Sequence, residues 1–120
     1  MLILDANIIL RFLLNDNAEM ALEAKRLVTS GNAYVTIEVV AEVVYVLGGL
    51  YGLDRDRVSN ALMRFLTLVN SRQADVLRLA LQAYAAHKLD FVDCVLYAYH
   101  QVDGAQIATF DKKLLRCLNG

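Results

Sequence analysis

MLILDANIILRFLL, residues 1–14, passes from one kind of structure to another without a turn. Leu2–Leu4 is a short apolar run that reads as a buried strand and ends at Asp5. Ala6–Leu14 carries apolar residues around most of its surface, the pattern of a packed helix. An acid at a strand-to-helix joint has two uses. It can cap the helix, or it can sit at the carboxyl edge of a sheet, where ligand sites lie in parallel α/β folds.

The alternation continues along the chain. Asp16 and Glu19 have capping-box spacing and open a helix over about 18–30. Its apolar stripe is Met20, Leu22, Ala24, Leu27 and Val28, and Gly31 is placed to end it. Ala33–Val35 reads as a second strand, and Thr36 caps a helix running to about Leu50, weakened at its end by Gly48, Gly49 and Gly52. Asp54 begins a helix with Val58, Leu62, Phe65, Leu66 and Val69 on one face. Ala74–Leu77 reads as a third strand, Arg78–His87 as a helix and 91–102 as the next helix, started by Asp90 and Asp93. Gln106–Thr109 reads as a fourth strand and Asp111–Leu118 as a short terminal helix. No hairpin turn joins two strands, so the pattern predicts an α/β fold, a parallel sheet with helices on both faces.

The 120 residues fit one domain, 1–120. Apolar residues make up 58% of the chain and mean hydropathy is +0.40, which implies a face that meets another chain. Net charge is −1, so no basic excess advertises nucleic acid, although segregated charge or metal ions can supply positive field. No apolar run is long enough to span a membrane, and the start lacks a basic leader segment. Cys94 and Cys117 lack disulfide-framework and metal spacing and read as reduced core thiols. These features predict a cytoplasmic protein.

Four acids stand out. Asp5 and Asp111 follow the first and last expected strands, Asp93 lies in the first turn of a helix, and Glu42 is the one charge in VVAEVVYVL, residues 39–47. A charge there needs a polar cleft or a cationic partner. Helix side chains lean toward the N-terminus, so Glu42 can reach back toward the edge that carries Asp5. Four converging carboxylates repel one another unless a cation joins them. Hard oxygen donors suit Mg²⁺ or Mn²⁺, which at a phosphodiester can generate hydroxide and stabilise the leaving oxygen. Plainer readings stand beside this one: Asp5 and Asp111 as N-caps, Asp93 at a helix dipole, Asp90 as the cap of its helix, Glu42 in a buried ion pair. His87 and His100 read as surface or packing residues.

These segments resemble the PIN-domain ribonucleases, and among them the VapC-type toxins of toxin–antitoxin systems. LDANIILRFLL is similar to the family's first strand and helix, TIEVVAEVVYVL to the segment with its catalytic Glu, LDFVDCVLYAYH to its D-A-L-I-A-A-type helix and ATFDKKL to its closing T-F-D motif. The resemblance implies a three-layer sandwich around a short central parallel sheet of about four to five strands. It implies that Asp5, Glu42, Asp93 and Asp111 bind Mg²⁺ or Mn²⁺ and serve catalysis. Asn7, Thr36 and Thr109 would support those acids. Cys94 stands where the family commonly has Ala, and Ala6 where Thr is common; neither carries the chemistry.

The resemblance further implies a homodimer, a structured RNA substrate and a cognate antitoxin lying across the active-site groove. Phe12, Leu13, Val44, Tyr45 and Leu47 could line such a groove, although most of them also read as ordinary core. RNA contact would fall to Arg11, Lys112 and Lys113. Two other functions stay open: a non-catalytic binding module whose acids are caps, and an Asp-based phosphoryl-transfer domain. The second needs another acid beside Asp5, where the chain has Ala6 and Asn7.

Overall fold

The computed structural model describes residues 1–120, which divide into two compact units, Met1–Ala74 and Asp75–Gly120. In the first, β1 (Leu2–Ile3) and β2 (Ala33–Tyr34) pair in parallel, with Leu2 opposite Ala33 and Ile3 opposite Tyr34. Each strand feeds a helix. Asp5 caps α1 (Ala6–Leu14), its Oδ1 accepting the Ile8 N–H at 3.0 Å. Thr36 caps α3 (Ile37–Tyr45), its hydroxyl accepting the Val39 N–H at 3.3 Å. Asn15 ends α1 in the left-handed region that Asn tolerates, at φ 51°.

Helix α2 (Ala18–Val28) packs on α1, and α1 packs on α3. Asn17, not Asp16, caps α2, accepting the Met20 N–H at 3.1 Å. Asp16 is drawn away by Arg11, 2.9 Å distant. The buried residues of α2 are Ala21, Ala24 and Val28: the expected stripe keeps Ala24 and Val28 and gains Ala21, while Met20 and Leu22 face solvent. Beyond Tyr45 the chain widens into a π-helical turn, Val46–Leu50, through Gly48 and Gly49. Asp54 caps α4 (Arg55–Phe65), as its position predicts, and Val58, Leu62, Phe65 and Leu66 are buried. Ile9, Val40, Val43, Leu62 and Phe65 form the dry centre of this unit, with Phe12 tilted against Phe65 at 5.9 Å.

The sheet has two strands, not four or five. Asn70 makes a single further parallel bridge to Tyr34. Ala74–Leu77 is the first turn of α5 (Ala74–Ala86): Val76, Leu77, Ala80 and Leu81 are buried together, a helical spacing that outweighs the short apolar run. Gln106–Thr109 joins no sheet, although its exposure alternates as a strand's would. Leu2 and Ile3 are exposed, and only Leu4 of that run is buried.

The second unit holds α5, α6 (Phe91–Asp103) and α7 (Lys112–Asn119). Helix α6 ends at Gly104 in the left-handed region, and α6 packs on α7. Leu77, Ala80, Leu81, Cys94, Ala98 and Leu114 are its fully buried side chains. Both cysteines are free thiols. No helix is long and apolar enough to cross a membrane.

Candidate functional site

In the first unit the candidate acids are Asp5 and Glu42. Asp5 follows β1 and Thr36 follows β2, so continuing the strand register sets them opposite each other at the carboxyl edge of the pair. Asp5 is both a cap and an available ligand. The cap engages Oδ1, and a carboxylate has a second oxygen to offer. Glu42 is exposed. The ion pairs of this unit form elsewhere, between Arg11 and Asp16 and between Arg26 and Glu23, so Glu42 is not the buried pair that its valine neighbours allow.

Asn7 is exposed in the first turn of α1 and lines a cleft of about 210 Å³ with Arg11, Glu19, Met20 and Glu23. Arg11, the expected RNA contact of this unit, is committed: both Asp16 oxygens accept from it, at 2.9 and 3.0 Å. The expected apolar groove is mostly core. Val44 and Leu47 are buried, Phe12 is held by Phe65, and Tyr45 alone of the five is well exposed.

In the second unit, Asp93 stands half-buried in the first turn of α6. Burial pushes its carboxyl pKa up, and the charges of Asp111 and Asp90 push it further. Asp111 caps α7, its Oδ1 accepting the Leu114 N–H at 2.8 Å, which again leaves Oδ2 to offer. Thr109 orients the same residue: its hydroxyl accepts the Asp111 backbone N–H at 3.0 Å. Lys112 and Lys113 are exposed in the first turn of α7. Positive charge there opposes the helix dipole, so helix stability does not account for them.

Asp90 corrects the sequence reading. It occupies the cap position of α6 but makes no side-chain cap bond, and its charge acts on Asp93 instead. The Asp90–Asp93 spacing of three on a helix start was the signal for it. Phe110, wholly exposed beside Asp111, was not singled out from the sequence at all.

Within neither unit do three His, Cys, Asp or Glu side chains converge closely enough to hold a metal ion. The donors nonetheless suit a hard cation. All four are carboxylates, and two keep an oxygen beyond their cap bonds.

No curated protein and no solved structure matches the chain. A family model, that of the PIN domain, matches residues 2–117 and so spans both units. PIN domains are generally nucleases and typically depend on divalent metal. With acids at its helix starts and a small parallel sheet whose two strands each lead into a helix, the chain belongs to the PIN domain family.

Proposed function

We propose that the chain is a metal-dependent endoribonuclease, the toxin of a toxin–antitoxin pair, that hydrolyses phosphodiester bonds in structured RNA. The observation that carries this reading is the match of the PIN-domain family model to residues 2–117, with Asp5, Asp93 and Asp111 standing at helix starts. Asp5, Glu42, Asp93 and Asp111 are the residues that would hold Mg²⁺ or Mn²⁺. Such an ion supplies a nucleophilic hydroxide near neutral pH and offsets charge on the phosphate.

The chain's own residues do the rest. Capping fixes the Asp5 and Asp111 carboxylates through one oxygen each. Thr109 fixes the backbone of Asp111, and Thr36 fixes the start of the helix that presents Glu42. Asn7 offers an amide beside Asp5 for a phosphate or water. Lys112 and Lys113 bring positive charge to a chain with a net charge of −1. Arg11 contributes to RNA only if it releases Asp16.

The apolar composition and the exposed Tyr45, Leu50 and Tyr51 support a face covered by an antitoxin segment or a second copy in a homodimer. Cytoplasmic residence follows from the toxin reading.

The test is cleavage of transfer and ribosomal RNA with Mn²⁺, with EDTA, and by Asp5→Asn, Glu42→Gln, Asp93→Asn and Asp111→Asn. Metal-dependent cleavage lost in all four variants supports the reading. Folded, metal-bound protein that cuts neither RNA favours a non-catalytic binding module.

A further inference from the structure

We propose that Phe110 is a stacking platform for an unpaired RNA base; this rests on the ribonuclease reading above. The chain has four phenylalanines. Phe65 and Phe91 are buried, and Phe12 packs on Phe65. Phe110 alone is fully in water, at 101% relative exposure. A phenyl ring left there forfeits one of the largest hydrophobic gains a side chain offers.

The backbone beside the ring is also held in place. Thr109 accepts the Asp111 N–H and Asp111 accepts the Leu114 N–H, so the backbone on the C-terminal side of Phe110 is pinned to the start of α7. The next three residues, Asp111, Lys112 and Lys113, are exposed. An aromatic face beside positive charge is the combination that binds single strands: bases stack on the ring and phosphates pair with the lysines. A paired base has both faces covered within its helix, so a duplex cannot use the ring. The lysines argue against a protein partner, because Lys is depleted from interface cores.

The experiment measures binding of a labelled oligoadenylate, single-stranded or annealed to oligouridylate. The full chain carries Asp93→Asn to prevent cutting and is compared with added Phe110→Ala, Phe110→Leu or Phe110→Tyr. Because the ring touches no core, each variant should melt with its parent. Ala and Leu should weaken single-strand binding by roughly 5- to 150-fold, Tyr should retain it, and duplex binding should not change. Unchanged single-strand binding by Ala and Leu overturns the proposal. So does a shift in oligomeric state with RNA affinity intact, which would assign the ring to a contact with a second copy. If Lys112→Gln with Lys113→Gln weakens the single strand while the Phe110 variants do not, the platform fails and the nuclease reading stands. If the parent binds neither strand, the platform fails, and cleavage of transfer and ribosomal RNA decides the nuclease reading on its own.

Discussion

Asp111 offers a way to separate a structural role from a chemical one. Its Oδ1 caps α7 through a 2.8 Å bond, and its charge is also one of two that raise the Asp93 pKa. Asn caps a helix about as well as Asp, whereas Ala lacks an acceptor and costs about 1 kcal/mol at such a position. Both substitutions also lose the attraction of a carboxylate for the helix dipole, about 0.3–1 kcal/mol, and both relieve the repulsion with Asp93. Those two effects are common to Asn and Ala, so the difference between them isolates the cap. At this chain length about 1 kcal/mol shifts the melting temperature by roughly 3–5 °C. Calorimetry in EDTA should therefore place Asp111→Ala that far below Asp111→Asn, with Asp111→Asn near wild type. RNA cleavage with Mn²⁺ should be lost in both. If Asp111→Asn melts as low as Asp111→Ala, the cap is not formed as described. If Asp111→Asn still cleaves, Asp111 is a cap and nothing more.

Further outcomes follow from the same geometry. The folded state holds the Asp93 proton to higher pH than the unfolded chain does, so the stability tied to that proton is complete at low pH and is lost as pH rises through the raised value. In EDTA, the stability gain of Asp93→Asn over wild type should therefore grow from acid toward neutral pH in denaturant titrations; a gap that does not change with pH contradicts the reading. Replacing Lys112 and Lys113 together by Gln should weaken binding of all single strands alike and reduce the salt slope by about 1.4, since each phosphate contact contributes about 0.7. Thr109→Val removes the acceptor for the Asp111 N–H; cleavage should fall while stability changes by less than about 1 kcal/mol, and Thr109→Ser should restore it.

The helices that carry their own start signal were legible in the sequence. Asp5, Thr36 and Asp54 cap the helices their positions predict, and α1 spans the predicted Ala6–Leu14. The sheet was not legible, because a strand is defined by its partner. Ala74–Leu77 offers a short, largely apolar run like Leu2–Leu4, yet buried residues four apart draw it into α5, while Leu2–Ile3 finds Ala33–Tyr34. Capping was misread where two acceptors competed: Asp16 and Asn17 both suit the start of α2, and Arg11 takes the charged one. The candidate acids were legible as types and spacings. What spacing does not carry is the field around them, and so Asp90 passed for a cap although its charge works on Asp93.

The most direct test of the four-carboxylate reading is a thermal melt of wild type and Asp93→Asn against increasing Mn²⁺ and Mg²⁺. Ligand at about 100 times its dissociation constant stabilises the fold that binds it by about 2.7 kcal/mol. The account predicts a rise of that order in wild type and none in Asp93→Asn. A wild type whose melting temperature ignores both ions, or a variant that rises equally, contradicts it.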